Sequence, residues 1–244
     1  MFSLMRCNVT RRLIGICTAG ILGASTLALS QSNDAAVVQS IDASVSARDE
    51  NILSYTVTEH YSVFRNHDKV YPAAEMMVKT TYQKDKGKSY AVLSESGSEL
   101  IRKQVLGRVL ESEQTVTQPT NRPTALITST NYTMHVKGSE IVGGRNCVAL
   151  SIAPRRSSPY LFQGDLWVDA QDYSIVQLAG TASKAPSVLA GPTQVARQYA
   201  AIDGFPMATH ATATSTSWLL GQTTIEIDYT GYQIEQRPVQ HPAH

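Results

Sequence analysis

The chain has 244 residues, and its 21 basic and 20 acidic residues give a formal charge of +1. A near-neutral chain without a cluster of Lys and Arg is not typical of a nucleic-acid-binding protein. The length is sufficient for one all-β domain with a substantial hydrophobic core.

The N-terminal segment is typical of an exported protein. Three arginines precede a long uncharged, apolar stretch, and the small residues Ala28 and Ser30 predict cleavage before Gln31, so residues 1–30 are predicted to be a signal peptide. A membrane anchor is one alternative, although the stretch is slightly shorter than a typical span of roughly 20 residues. A lipid anchor on Cys17 is another, but the residue before it is not small.

Removal of this segment takes away three arginines and no acidic residues, which moves the formal charge from +1 to about −2. Cys147 then remains as the only cysteine, so an internal disulfide is excluded. A single cysteine in a strand is more often a buried apolar residue than a nucleophile.

The first predicted elements are a helix and three strands. Residues 34–47 place valine and isoleucine at helical spacing, which predicts a helix. The alternation of apolar residues over 53–64 predicts a long strand, and two more strands are predicted at 74–83 and 89–94. A capping box formed by Ser96 and Glu99 then predicts a second helix that extends to Glu113.

The rest of the chain is predicted to form strands, at 125–136, 146–153, 160–168, 173–180, 194–203, 206–218 and 222–233. This order predicts a single antiparallel sheet of about ten strands, curled into a half-barrel because so large a sheet does not stay flat. The two helices are then expected to cover its concave face. The predicted fold class is thus mainly β, with one domain over 31–236 and a disordered tail over 237–244.

The hairpin near the middle of the chain has one apolar face on each arm. Tyr160, Phe162, Leu166 and Val168 alternate on the first arm, and Tyr173, Ile175 and Ala179 alternate on the second. If Ala170 and Gln171 form the turn, Val168 lies opposite Tyr173 and Leu166 lies opposite Ile175. Trp167 is then expected on the other face.

The residues of this hairpin and its neighbours resemble those of the LolA-like superfamily of periplasmic lipoprotein carriers. The likeness is greatest to a branch named outer-membrane lipoprotein-sorting proteins, and it covers roughly residues 50–235. It is carried by the hairpin pattern G-x-L-W-V-D-x-x-x-Y-x-I-V and by the residues Asn131-Tyr132, Gly144-Arg145, Leu150, Pro154, Tyr160-Leu161-Phe162, Gly180 and 225–229. The resemblance implies a curled sheet with helices over one face. Relatives with this fold include lipid binders and envelope sensors as well as carriers, so the fold does not define the ligand.

No catalytic set, metal site or cofactor motif is recognised in the sequence. The histidines have no metal-ligand spacing such as HExxH, and there is no nucleophile elbow or Gly-rich phosphate loop. Asp165, Asp169 and Asp172 surround one hairpin and suggest an ion site, but turn formation explains Asp169 and Asp172 more simply. We therefore expect a protein that is not an enzyme, with a hydrolase as a remote alternative.

The apolar positions of the strands either form a packed core or line a cavity for acyl chains, and the resemblance favours the cavity. The predicted ligand-binding positions are Tyr55, Val57, Tyr61, Phe162, Leu166, Val168, Tyr173, Ile175, Ile225, Ile227 and Tyr229. The sequence therefore predicts a monomeric periplasmic carrier that binds the acyl chains of lipids or lipoproteins. An envelope sensor that binds a membrane protein is the alternative.

Overall fold

The computed structural model describes residues 24–184, 191–217 and 221–238. It begins with a long helix, α1 (Ala24–Asn51), which contains the predicted helix 34–47 and extends beyond it at both ends. The apolar stripe faces the sheet: Ile41 is completely buried and Val37 nearly so. The helix passes without a break through the predicted cleavage point at Gln31, so the signal peptide stays a prediction. Cys17 and the end of the tail lie outside the described residues.

Ten strands follow, and their bounds agree with most of the predicted ones. They are β1 (Ile52–Arg65), β2 (Ala74–Gln83), β3 (Gly87–Gly97), β4 (Tyr132–Val142), β5 (Arg145–Pro154), β6 (Phe162–Asp169), β7 (Ile175–Ala182), β8 (Gln194–Ile202), β9 (Phe205–Ser217) and β10 (Gly221–Gln236). The strand predicted to begin at residue 125 begins instead at Tyr132. The residues before it form turns, in which the N–H groups of Asn131 and Tyr132 donate to the Thr128 carbonyl.

All ten strands form one sheet, in which every neighbouring pair is antiparallel. The order is β3-β2-β1-β10-β9-β8-β7-β6-β5-β4, so the first and last strands of the chain pair within the sheet, and β3 and β4 form the two edges. The predicted fold class, a single open antiparallel sheet of about ten strands with helices on one side, is confirmed. We call the side with the helices the covered face and the other side the open face.

The second helix, which we call the mid-chain helix, spans 99–117 in three parts. Glu99–Ile101 is α-helical, Arg102–Leu106 is a π-helical turn, and Gly107–Thr117 is α-helical again. The N-cap is Ser98, whose hydroxyl accepts a hydrogen bond from the Ile101 N–H, so the predicted capping box at Ser96 is wrong. Ser96 is still part of β3, where it pairs with Glu75.

The register predicted for the central hairpin is also wrong. Leu166 pairs with Leu178, and Val168 pairs with Ile175, because a bulge at Val176 interrupts the second arm. Ala179 therefore lies opposite Asp165 on the open face. Tyr173 belongs to a five-residue turn, 170–174, in which it has a φ of 57°, and this longer turn replaces the tight one expected at Ala170 and Gln171.

The covered face is apolar over most of its length, as the strand patterns predicted. On the first arm of the hairpin Phe162, Leu166 and Val168 are buried, whereas Trp167 lies on the open face and donates a hydrogen bond from Nε1 to Glu140 Oε2 at 2.8 Å. Among the described helices, none is both long and apolar enough to cross a membrane.

Candidate functional site

The residues predicted to bind the ligand lie on the covered face, but the structure divides them between separate clusters. Under α1, the cluster includes Phe162, Leu166 and Val168 as buried members and Tyr173 and Ile175 as half-buried members. We call this the α1 region.

Under the mid-chain helix, a second cluster contains Tyr61 and Ile227 as buried members and Ile225 and Tyr229 as half-buried members. We call this the mid-helix region. Tyr55 belongs to a third, small cluster with Ile52 and Tyr82, near the start of β1. Val57 is 1% exposed on the same strand. Whether any of these residues contacts a ligand stays a prediction.

The α1 region is a dry apolar core with polar contacts around it. Ile41 from the helix belongs to the same cluster as Leu150 and Leu166, and all three are completely buried. Asp42 accepts hydrogen bonds from the N–H of Ser129, at 2.8 Å, and from its hydroxyl, at 2.5 Å. The Arg48 guanidinium donates from Nε to the Pro206 carbonyl at 3.0 Å. These contacts attach the helix to the sheet at several points.

In the mid-helix region, the buried apolar contacts of the helix are concentrated near its start. Ile101 and Leu106 are the buried side chains that the mid-chain helix contributes, and both belong to its first two parts. The longest part, Gly107–Thr117, has no fully buried side chain, although Val109 and Leu110 pack partly on the cluster. Most of this helix therefore contacts the sheet through side chains that are only partly buried.

Charged groups complete the contact between this helix and the sheet. Lys88 Nζ of β3 donates to Glu113 Oε2 of the helix at 2.9 Å and lies 3.6 Å from Glu59 Oε1 of β1. Arg197 Nη2 of β8 lies 3.5 Å from Glu113 Oε1. The Tyr61 hydroxyl donates to Glu59 Oε2. Two cations and two carboxylates, which we call the ionic cluster, thus join the helix to three strands.

The ionic cluster is largely removed from water. The side chain of Glu59 is 1% exposed and that of Lys88 is 9% exposed, whereas Glu113 and Arg197 are 25% and 35% exposed. Within the described residues, the buried hydroxyl of Tyr90 beside this cluster makes no hydrogen bond. A buried polar group without a partner costs free energy, so this interface is not optimised for stability alone.

The protonation states follow from the charges that face each other. Burial disfavours the charged form of Lys88, but the Glu113 carboxylate, together with Glu59 and the nearby tyrosines, outweighs this effect and raises the pKa of Lys88 well above its usual value. Burial would also raise the pKa of Glu113, but Lys88 and Arg197 together lower it to about 2. Burial raises the pKa of Tyr61, Tyr90 and Tyr229, so these hydroxyls stay protonated.

The ionic cluster was not predicted from the sequence, although two signals for it are present there. Glu59 stands at the one acidic position in the alternating row of Val57, Tyr61 and Val63 on β1. Glu113 follows Val109 by four residues and Leu106 by seven, which places it on the apolar side of the helix rather than at its end. A charged residue within an apolar stripe is the pattern that indicates a buried ion pair.

The acidic residues that suggested an ion site have other partners. Asp165 pairs with Lys137 at 3.0 Å, and Asp169 pairs with Arg145 at 2.8 Å. Asp172 accepts the N–H of Ser174 in the turn. Within the described ranges, no group of three or more His, Cys, Asp or Glu residues is arranged to hold a metal ion.

Two surface grooves are formed away from both helices. The larger, of about 290 Å³, lies between β1, β2 and β10 and is lined by Ser54, Tyr55, Thr81 and Ile234 among others. The smaller, of about 120 Å³, lies on the open face beside His60, Glu75 and Met77. Of the residues predicted to bind ligand, Tyr55 lines the larger groove, and neither groove is lined by the mid-chain helix.

No family model and no curated protein matches the chain. Among solved structures, the chain is similar to a LolA superfamily protein from Nitrosomonas europaea, with a TM-score of 0.46 and 11% identity over 82% of this chain and 94% of that one. It is also similar to an outer membrane lipoprotein-sorting protein domain from Vibrio parahaemolyticus, with a TM-score of 0.45 and 13% identity over 84% and 93% of the two chains.

A third similar structure is that of the MucA/MucB complex of Pseudomonas aeruginosa, with a TM-score of 0.29 and 12% identity over 82% of this chain and 99% of that one. The first two structures belong to the groups that the sequence resembles. The likeness concerns the fold alone.

Proposed function

We propose that the protein is a non-enzymatic binding protein of the periplasm that holds acyl chains of lipids or lipoproteins between the mid-chain helix and the sheet. One observation carries this proposal. The mid-chain helix covers an apolar cluster, yet its longest part, Gly107–Thr117, buries no side chain completely. An apolar chain that enters this interface can therefore replace the half-buried contacts of Val109 and Leu110 with closer ones.

The free energy of such an exchange favours long acyl chains. Each methylene group that leaves water contributes about 0.8 kcal/mol, so a chain of a dozen or more carbons can offset the contacts that the helix loses. Displacement of the helix also returns the ionic cluster to water. Because buried ion pairs recover hydration when they are exposed, the cluster lowers the cost of opening compared with a fully apolar interface.

The chemistry of the cluster favours binding over catalysis. Both oxygens of Glu113 face cations, and Glu59 is held between Lys88 and the Tyr61 hydroxyl. A general base needs a lone pair directed at a substrate and a pKa near the working pH. The low pKa of Glu113, about 2, makes it a poor base at neutral pH. The exported N-terminal segment predicted from the sequence supports the periplasmic location.

Native mass spectrometry tests the proposal. The protein is purified from its own envelope under mild extraction, and we expect additional mass that corresponds to a lipid or an acylated peptide. A matched sample carries Ile225→Glu, which places a charge in the mid-helix region, and this variant should be recovered without the additional mass. Recovery of both proteins without any bound lipid would contradict the proposal.

An envelope sensor that binds a membrane protein is the second candidate. The observation that favours it is the edge strand β3, where Val92 and Leu93 are 53% and 55% exposed beside an unpaired strand edge. Such an edge can accept an extended segment of a partner. A pull-down tests this second function. Recovery of one membrane protein in stoichiometric amount would favour it, provided that this partner is lost with the variant Val92→Ser and retained with Ile225→Glu.

A further inference from the structure

One end of the sheet exposes apolar side chains on a hairpin tip. The loop that joins β1 to β2, residues 66–73, carries Val70 at 72% exposure and Tyr71 at 78% exposure. Leu100, at the start of the mid-chain helix, is 61% exposed and lies beside the same loop, because the Ser98 N–H donates to the Ala73 carbonyl at 2.8 Å. Three large apolar side chains thus face water together at this end.

The backbone of the loop is fixed in the shape that exposes them. Asp68 Oδ1 accepts hydrogen bonds from the N–H groups of Val70, at 2.8 Å, and Tyr71, at 3.0 Å. Asn66 and His67 adopt positive φ angles of 51° and 66°. A left-handed conformation costs a non-glycine residue roughly 1–2 kcal/mol. These hydrogen bonds and positive φ angles define a turn that keeps Val70 and Tyr71 exposed.

The charges of the loops at this end are mainly positive. The described hairpin loops here span 66–73, 155–161, 183–184 and 191–193, and they contain four basic residues against one acidic residue. The basic residues are Lys69, Arg155, Arg156 and Lys184, all exposed. Within the part of the chain that the structure describes, none of these four forms an ion pair with a carboxylate.

The opposite end of the sheet provides the contrast. Its hairpin loops, 84–86, 143–144, 170–174 and 203–204, contain two basic and three acidic residues. The apolar tip and the excess of positive charge therefore coincide at one end. Aromatic and aliphatic side chains beside lysine and arginine are the combination that binds at the headgroup level of a bilayer with anionic lipids.

We propose that this end of the sheet, with Val70 and Tyr71 at its tip, docks on the surface of an anionic phospholipid bilayer. Val70 and the ring of Tyr71 enter the boundary between headgroups and acyl chains, and the Tyr71 hydroxyl stays at headgroup level. Lys69 and Lys184 contact the lipid phosphates. Docking in this orientation places Leu100, and with it the start of the mid-chain helix, against the membrane.

Flotation with lipid vesicles tests this docking. The full chain, as the cell processes it, is mixed with vesicles that contain phosphatidylglycerol or with vesicles of phosphatidylcholine alone. The variant Val70→Ser/Tyr71→Ser should bind the phosphatidylglycerol vesicles at least about tenfold more weakly. Ile141→Ser is the matched control, because Ile141 is 76% exposed on β4 at the opposite end and should change binding less than about twofold.

A second pair of variants tests the charges. Lys69→Gln/Lys184→Gln should weaken binding to phosphatidylglycerol vesicles about tenfold or more, since each lysine near an anionic surface contributes roughly a fivefold factor. Binding to phosphatidylcholine should not change. Lys86→Gln, in an exposed loop at the opposite end, is the control and should behave as the wild type. All these residues are exposed, so circular dichroism should show no loss of fold.

Two results would overturn this inference: absence of the wild-type chain from the floated vesicles, or flotation of Val70→Ser/Tyr71→Ser equal to that of the wild type. The second result would also arise if only the N-terminal segment bound lipid, because every variant carries the same segment. The inference does not depend on acyl-chain binding under the mid-chain helix. If the protein binds a fatty acid but not vesicles, the docking proposal is contradicted and the proposed function is not. If it binds vesicles but no fatty acid, the proposed function is contradicted and the docking proposal is not.

Discussion

The two helices cover the same face of one sheet, but they are held to it in different ways. Beneath α1, Ile41, Leu150 and Leu166 form a dry core in which each side chain is completely buried. Beneath the mid-chain helix, the apolar cluster has both buried and half-buried members, and beside it lies an ionic cluster that includes Glu59 and Lys88. This difference underlies the proposal that the α1 region supports the fold and that the mid-helix region opens to bind acyl chains.

The largest effect is expected from a charge in the α1 region. Leu166 is 0% exposed, and a carboxylate in a dry interior costs several kcal/mol, so Leu166→Glu should unfold the protein or prevent its expression. Thermal denaturation followed by circular dichroism measures this. Gln163→Glu is the control, because it adds the same charge at an exposed position of the same strand and should leave the melting temperature nearly unchanged.

The next effect concerns the ionic cluster. Lys88→Met leaves Glu59 buried without its cation, and removal of one partner from a buried ion pair destabilises proteins by roughly 3–5 kcal/mol. Urea denaturation should show a loss of this order. Glu59→Gln in the same chain restores neutrality and should recover part of the loss. If the double variant is no more stable than Lys88→Met, the two residues are not coupled as the structure indicates.

Acid should weaken the attachment of the mid-chain helix. The pKa of Glu113 is lowered from 4.5 to about 2 in the folded protein, so its contribution is complete above pH 4.5 and is lost as the pH falls toward 2. The loss should be on the order of 2–3 kcal/mol. The protection of amide hydrogens over 99–117, measured as the intrinsic exchange rate at each pH divided by the observed rate, should therefore fall across this pH window. Glu113→Gln should remove that step, and Glu111→Gln, at an exposed position of the helix, should retain it.

A charge in the mid-helix region should affect binding more than folding. Ile225 is half-buried beside Tyr229 and Ile227, so the charge of Ile225→Glu can reach water when the helix moves. We expect a folded protein with at least about tenfold weaker binding of a dansyl-labelled fatty acid. Unfolding of Ile225→Glu to the same extent as Leu166→Glu would mean that the two regions do not differ.

The smallest effect is expected on the open face. Trp167→Ala removes the hydrogen bond to Glu140 but touches neither helix, so binding of the labelled fatty acid should change less than about twofold. Titration by fluorescence checks this. Loss of binding in Trp167→Ala, with binding retained in Ile225→Glu, would show that the ligand lies on the opposite face from the one proposed.

Most of the fold could be predicted from the sequence, because apolar and polar residues alternate along a strand that has one buried face. The pattern of β1 and of β10 was sufficient to assign both the strands and their buried sides. The errors occurred where backbone hydrogen bonding overrides composition. Ser96 has the properties of an N-cap, but its pairing with Glu75 keeps it in β3. The bulge at Val176, which sets the register of the hairpin, leaves no signal in the alternation.

The candidate site was less predictable than the fold. The apolar members of the mid-helix region could be predicted from their spacing, but nothing in that spacing separates them from the apolar members of the α1 region. The ionic cluster joins residues from β1, β3, β8 and the mid-chain helix. A charged residue is usually assigned to the solvent side, and only the folded chain brings the partners of Glu59 and Glu113 together.

Photo-crosslinking tests the difference between the two regions most directly. A palmitic acid analogue with a diazirine in its acyl chain is bound to the protein, activated by light, and mapped by peptide mass spectrometry. We expect adducts in the mid-chain helix, 99–117, and on the strands beneath it, near Tyr61 and Ile225. Adducts confined to the α1 region or to the open face would contradict the proposal that the mid-helix region opens to bind acyl chains.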